Sequence, residues 1–285
     1  MQGNEKENIL GAYYRSAFPT ALIAKWLRYT RTREFSFTLA NDIYIRYITI
    51  SSARELANKL VADRPQKIDI GGVYVHRPAS VTAENQCVIK ELVFDIDLTD
   101  YKRACCTDKN MCNTCFPIIK CAAEILDIVL REDFGFKNIL FVYSGGRGVH
   151  CWVSDSTAMT LTGRDRSNIA EYFAEMPKRS NEEVEKILRK YQASMGIDEK
   201  ASLGSLYDLL FPKLDANVTK QMKHLLKSPF CIHPRTGRVC VPLDLARMES
   251  LQLEDIPTLS SVLESPGVLA EHIEYFEKFI QLPAV

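Results

Sequence analysis

Apolar and polar side chains alternate between residues 34 and 47. Phe35, Phe37 and Leu39 interleave with Glu34, Ser36 and Thr38. After a break at Ala40–Asp42, Ile43, Ile45 and Tyr47 interleave with Tyr44 and Arg46. A period of two predicts a β-hairpin with one buried face. Upstream, Leu10, Tyr13, Ala17, Ala21 and Leu27 form a helical stripe over Asn8–Tyr29, with Pro19 breaking or kinking it. Ser52 followed by Glu55 resembles a capping box and opens a helix ending before Pro65. The runs at 68–75 and 87–98 read as strands. A long apolar helix follows from near Pro117 to about Leu130. Asn138–Tyr143 and Val149–Val153 read as strands joined by the loop SGGRG. From Leu161 to Gly196 the pattern is helical and charged. Strand and turn signals return at 230–243, and EHIEYFEKFIQL is helical. This irregular order favours a mixed-sheet α/β (α+β) architecture over a doubly wound parallel sheet.

Composition changes this picture little. The 285 residues are 46% apolar and 25% charged, enough for one sizeable core with a small insertion. No apolar run approaches the length of a membrane span, and the opening MQGNEKEN lacks the features of a secretory signal. The formal net charge is zero. That balance argues weakly against a nucleic-acid partner, although local clustering of charge matters more than the sum. Among nine cysteines, Cys105, Cys106, Cys112 and Cys115 crowd into CCTDKNMCNTC. Four thiolates suit a structural zinc and leave no open position for catalysis. The Cys112-x₂-Cys115 half has familiar spacing, whereas the adjacent Cys105–Cys106 pair is unusual.

Three further segments carry candidate chemistry. In VFDID, residues two apart face the same side of a strand, so Asp95 and Asp97 project together about 7 Å apart along it. Such a pair can converge on two hard cations, or be two solvated acids at a strand end; D-x-D alone fits both. In SGGRGVH, glycines let the backbone approach a ligand, and Ser144, Arg147 and His150 add donors suited to phosphate. The alternative is an ordinary glycine-rich hairpin with a solvated arginine and a core histidine. In FPKLDANVTKQMKHLLKSPF, Asp215 precedes a predicted helix starting near Asn217 and stopped by Ser228–Pro229. Its apolar stripe is Val218, Met222 and Leu225, and its basic stripe is Lys220, Lys223 and Lys227. A basic helix face is usually just solvated.

Taken in order, REFSFTL, DIYIRY, IDIG-VY-HRP, LVFDIDLTDY, CC with C-x-x-C, SGGRGVHCWV, LD-NV and HLLKSPF–HP–TGR–VP resemble the eukaryotic-type DNA primase small (catalytic) subunit of the archaeo-eukaryotic primase superfamily. The strings run from about residue 10 to about residue 245. The resemblance implies a primase-polymerase (prim) fold over 1–153 and 205–285, a zinc knuckle at 105–115 and a reduced helical insertion at 154–204. It implies a nucleotidyltransferase, a DNA-directed RNA polymerase that makes short RNA primers on single-stranded DNA from ribonucleoside triphosphates to initiate replication. It implies Asp95, Asp97 and Asp215 as ligands of catalytic Mg²⁺ or Mn²⁺. Ser144, Arg147, His150, Lys227 and His233 would contact the triphosphate. Glu34, Tyr44 and Arg46 would lie near the nucleotide and initiation site, and Asp69 near the ribose. Cys105, Cys106, Cys112 and Cys115 would bind structural Zn²⁺. The implied partners are an iron–sulfur large subunit, the catalytic and accessory subunits of DNA polymerase alpha, template and primer, in the nucleus, with no membrane contact.

Two departures stand out. The family usually reads S-G-R-R-G-V-H, and Gly146 replaces the first arginine here. Segment 154–204 is also shorter than the helical subdomain many members carry. Two rival readings are a repair-type primase–polymerase using deoxynucleotides and a non-catalytic scaffold subunit. The cysteine and HLLKSPF strings disfavour the first, and retention of three aspartates disfavours the second.

Overall fold

The alternating stretches pair into two antiparallel sheets in the computed structural model, which describes residues 2–28, 31–79, 85–107 and 109–281. In chain order the elements are α1 (Gln2–Ser16), α2 (Thr20–Leu27), β1 (Arg33–Thr38), β2 (Tyr44–Ile48), α3 (Ala53–Asp63), β3 (Lys67–Tyr74), β4 (Cys87–Ile89) and β5 (Leu92–Asp97). Then come α4 (Phe116–Glu132), β6 (Ile139–Tyr143), β7 (Gly148–Val153), α5 (Ser156–Met159), α6 (Gly163–Glu175), α7 (Glu182–Ser194), α8 (Leu203–Leu210) and α9 (Ala216–Lys220). The chain ends with β8 (Leu226–Lys227), β9 (Pro242–Leu243), α10 (Leu259–Glu264) and α11 (Ala270–Gln281). They form two compact units. The first comprises the chain up to Glu91, Met222–Pro242 and the part from Ile256 on; the second comprises Leu92–Gln221 and Leu243–Asp255.

The first unit is built on a sheet of order β2-β1-β3-β4, with β8 also paired to β3. Pro19 divides the opening helix and resets its phase. Leu10 and Tyr13 are buried on α1, but Ile23, Trp26 and Leu27 face inward on α2, leaving Ala21 exposed. Tyr29, the expected helix end, lies outside the described residues. The Ser52 hydroxyl accepts the Glu55 N–H at the start of α3, but the reciprocal bond of a capping box is displaced by one residue, because the Glu55 carboxylate accepts the Ser51 N–H instead. Trp26 meets Phe276 and Phe279 edge-on, those two rings stack on each other, and Phe276 also meets Phe230.

The hairpin departs from the one-face expectation. All six residues of β1 are buried, because β1 lies inside the sheet between β2 and β3. Its polar side chains are therefore paired. The Arg33 guanidinium donates to both oxygens of Glu91 at 2.8 and 2.9 Å, and to the carbonyls of Leu27 and Gly71. Glu34 accepts from Arg46 and Tyr74. By contrast β2 ends the sheet, and Ile43, Tyr44 and Ile45 are exposed. A bulge with Tyr47 at φ 60° interrupts its register.

The run at 87–98 is two strands. β4 pairs with β3, whereas β5 begins the other sheet; Lys90 and Glu91 between them are buried. In the second unit the order is β5-β7-β6-β9. Helix α4 enters through Pro117 and buries Ile118, Ile119, Ile125, Leu126 and Val129. The stretch 154–204 contains α5, α6 and α7. A Thr162–Asp165 capping box starts α6, and Asn181 caps α7 ahead of three glutamates in its first turn.

The helix expected to run from Asn217 to Lys227 is one short turn, α9. Gln221 is extended, and Leu226–Lys227 pair with Ile70 and Asp69 on β3 instead. Backbone pairing along that edge prevails over helix propagation, which is weak in so short a segment. No basic stripe forms.

The buried ion pair gives a stability prediction. Arg33→Met leaves Glu91 without its guanidinium and costs about 3–5 kcal/mol. Adding Glu91→Leu recovers most of that loss. Urea unfolding of the three proteins checks it, and equal midpoints for the single and double variants would refute it.

Candidate active site

β5 places two acids on one face. Asp95 and Asp97 are part-exposed, while Phe94 and Ile96 on the opposite face are buried. One edge of β5 pairs with β7, setting Asp95 opposite His150 and Asp97 opposite Gly148. The other edge receives Leu214 opposite Ile96, and the Asp215 N–H donates to the Asp95 carbonyl at 3.0 Å. Backbone pairing thus brings three separate segments side by side in the second unit: that of Asp95 and Asp97, that of Ser144, Arg147 and His150, and that of Asp215. His150 Nε2 lies 3.6 Å from Asp95 Oδ1, on a side chain only 6% exposed. Arg147 Nε donates to Asp97 Oδ1 at 2.6 Å. The Asp215 carboxylate accepts the Asn217 N–H and starts α9.

The glycine-rich loop is built for close approach. A Cβ at Gly148 would lie 2.2 Å from the Ile96 carbonyl oxygen, so only glycine lets β7 pair with β5 there. Gly145 holds φ 77°, in the left-handed region. The Ser144 hydroxyl accepts the N–H groups of Gly146 and Gly148, and the Tyr143 hydroxyl donates to the Gly146 carbonyl. Gly146, where the family pattern has arginine, is buried but outside the left-handed region.

The remaining predicted contacts lie in the first unit. Glu34 is buried and held by Arg46 at 2.8 Å and by the Tyr74 hydroxyl at 3.0 Å. Tyr74 was not identifiable beforehand, since a tyrosine ending a strand reads as core. Asp69 faces Lys227 across the β3–β8 pair and accepts from Ser36 at 3.2 Å. Burial pushes the Asp69 carboxyl above its usual range, against the opposing pull of Ser36, Lys227, Lys67 and His224. Tyr44 is 53% exposed. His233 sits on a hairpin closed by the Ile232–Val239 bridge, where its Nδ1 accepts the Thr236 N–H.

The four clustered cysteines converge. The Sγ atoms of Cys105, Cys106, Cys112 and Cys115 all lie within 4.8 Å of one another, and those of Cys112 and Cys115 are 3.9 Å apart. A tetrahedral zinc with Zn–S bonds of about 2.3 Å needs edges of about 3.8 Å. The set therefore fits a metal such as zinc, the adjacent Cys105–Cys106 pair included. Burial raises the Cys105 and Cys106 thiols to about 11 and about 12. For Cys112 burial also pushes upward, but hydrogen bonds from the Cys115 backbone, Cys106 and Thr114 win and bring it down to about 6. Arg103 donates to the Asn110 carbonyl and to Cys115 Sγ at 3.6 Å. Asn113 fastens the loop to Glu254 and to the Leu253 N–H.

Comparisons with known proteins identify the fold and the family. The polymerase domain of Mycobacterium tuberculosis Ligase D, solved in complex with DNA, shares the fold. Its TM-score is 0.54 over 96% of this chain and 92% of that one, at 15% identity. Residues 94–245 match the family described as DNA primase small subunit. The DNA primase small subunit of Schizosaccharomyces pombe is 32% identical, covering 92% of this chain and 78% of that protein. Its Caenorhabditis elegans counterpart is 30% identical, covering 95% and 96%. The DNA primase small subunit PriS of Pyrobaculum aerophilum is 24% identical, covering 76% and 72%. The chain belongs to the DNA primase small-subunit family. The S. pombe alignment runs over 356 positions, more than the 285 residues here, so that relative carries internal sequence with no counterpart in this chain.

The cysteine cluster yields a direct test. Purified protein should contain about one zinc per chain. Cys112→Ser should lose it and lower the thermal midpoint by roughly 5 °C or more, because metal binding is coupled to folding of the loop. Elemental analysis with thermal melts checks both; full zinc content in the variant would reject the ligand assignment.

Proposed function

We propose that the chain is a template-directed nucleotidyltransferase that makes short RNA primers on single-stranded DNA from ribonucleoside triphosphates. The observation that carries this reading is the backbone register that gathers Asp95, Asp97 and Asp215 around β5, with Arg147 and His150 beside them. Carboxylate oxygens are the donors Mg²⁺ and Mn²⁺ take. Two such cations, when bound, favour deprotonation of the attacking 3′-hydroxyl and neutralise the leaving pyrophosphate.

The chain's own groups supply the rest. Arg147 offers a planar, permanently charged donor for phosphate oxygens, and His150 a second one. Ser144 shapes the loop by accepting two backbone N–H groups. Lys227 and His233 are further phosphate contacts in this reading. Asp69 accepts a hydrogen bond from the ribose, and Glu34 holds Arg46 in place beside Tyr44. The cysteine cluster stabilises the loop after β5 and takes no part in the chemistry. The partners are template DNA and an iron–sulfur large subunit, within an assembly with DNA polymerase alpha in the nucleus.

Primer synthesis on poly(dT) with ATP, with and without a large subunit, tests the reading. Asp95→Ala and Asp97→Ala should each reduce synthesis by at least about 100-fold while leaving the protein folded; Asp97→Ala, which removes three hydrogen bonds, should lower the unfolding midpoint somewhat. Near-normal turnover by either variant in Mg²⁺ would sink it.

Gly146 provides a second test. Of four candidate replacements for the missing arginine, three are engaged elsewhere in the second unit, Arg103 with the cysteine loop, Lys213 with the Asp100 carbonyl and the Tyr101 ring, and Lys220 with Glu171, and the fourth, Arg235, belongs to the first unit. Because residue 146 lies outside the left-handed region, backbone strain does not bar a side chain there. Gly146→Arg should tighten binding of a non-hydrolysable nucleotide about fivefold, equivalent to about 1 kcal/mol, the net value of one ordinary hydrogen bond. Unchanged or weaker affinity in a variant with a normal melt would show that no cation is missing.

A further inference from the structure

The Asp97 carboxylate is held asymmetrically. Its Oδ1 accepts three hydrogen bonds: from the Thr99 N–H at 2.8 Å, from the Thr99 hydroxyl at 2.8 Å and from Arg147 Nε at 2.6 Å. Among the described residues no hydrogen bond reaches Oδ2. The backbone reinforces this, because the Leu98 N–H donates to the Arg147 carbonyl and ties the turn after β5 to the glycine-rich loop. Thr99 itself is exposed and packs no core.

From this geometry we propose that Thr99 is a positioning residue for the cation site. Its hydroxyl, together with Arg147, commits Oδ1 of Asp97 and leaves Oδ2 as the single oxygen presented to a cation. The inference rests on the reading that Asp97 is a cation ligand. The terminal torsion of an aspartate is broad and roughly two-fold, so a carboxylate without such donors samples orientations that present either oxygen. Fixing it removes that freedom before a cation arrives, and outer-shell partners of this kind typically change metal affinity 10- to 100-fold. One effect opposes this. A donor on Oδ1 withdraws charge from the carboxylate and weakens its attraction for a cation. The hydroxyl is one of three donors on Oδ1, so its removal returns only part of the withdrawn charge, while it frees the carboxylate from the one donor carried on the Thr99 side chain.

The test is Mn²⁺ affinity without nucleotide, read as free Mn²⁺ by electron paramagnetic resonance, on the full chain carrying Thr99→Val, Thr99→Ser or Asp97→Ala. Valine keeps the shape, the backbone N–H and Arg147, so binding should weaken by about tenfold, the low end for such partners. Serine restores the hydroxyl and should bind within about twofold of the parent protein, which a purely structural role for the β-branched side chain would not produce. Unchanged or tighter binding by Thr99→Val overturns the proposal, as does Thr99→Ser binding as weakly as valine. Unaltered binding by Asp97→Ala would instead refute the underlying assignment of Asp97 as a ligand. Thermal melts confirm that each variant is folded, as expected for an exposed position.

Discussion

Backbone pairing on both edges of β5 is the constraint on which the candidate site depends. One edge binds β7 in continuous register from Leu92 to Asp97, and the other takes Leu214 and Asp215. These hydrogen bonds specify which residues lie side by side, whatever their side chains do. The buried face, Phe94 and Ile96, anchors the strand, and the acids follow on the other face because the pleat alternates. A slip of one residue would turn the carboxylates inward and the aromatic ring outward. Core packing and the geometry of the candidate site are therefore fixed by one register.

The interior of the first unit shows a different balance. A full guanidinium and two carboxylates, Arg33, Glu91 and Glu34, are withdrawn from water on and beside β1. Burial of charge is costly, and these groups persist because their partners are nearly complete: Arg33 has four acceptor contacts and Glu34 has both Arg46 and Tyr74. Such an arrangement tolerates the loss of a whole pair better than the loss of one partner. Glu91 is also the last residue of the first unit before the chain enters the second sheet.

Local patterns revealed much of this in advance. The i, i+2 aspartates, the Ser52 cap, the glycine-rich hairpin and the cysteine crowding each depend on neighbours in sequence, and each forms as its pattern implies. What the sequence concealed depends on tertiary pairing. Glu34, Ser36 and Thr38 look like a solvent face, and only the insertion of β1 between two strands buries them. Residues 221–227 carry helical periodicity, yet a distant strand captures Leu226 and Lys227. Lys227 is thereby set opposite Asp69, a pairing that no local signal announces. Thr99 and Tyr74 escaped notice for the same reason: their partners, Asp97 and Glu34, matter through hydrogen bonds that spacing does not encode. Asp95, Asp97 and Asp215 were readable as a group only through family resemblance, since Asp215 joins them across more than a hundred positions of sequence.

The Ile96 carbonyl beneath Gly148 has a consequence for reading genetic variation. If Asp95 and Asp97 hold the cations as proposed, a mutational scan scored by growth would mark position 148 as intolerant as either of them, because any side chain there pushes β7 away from β5. The three positions would look alike in such a map while failing for different reasons, two through lost chemistry and one through lost geometry. Abundance measured alongside activity separates them: aspartate variants accumulate as folded, inert protein, and variants at position 148 fall in the amount of folded chain.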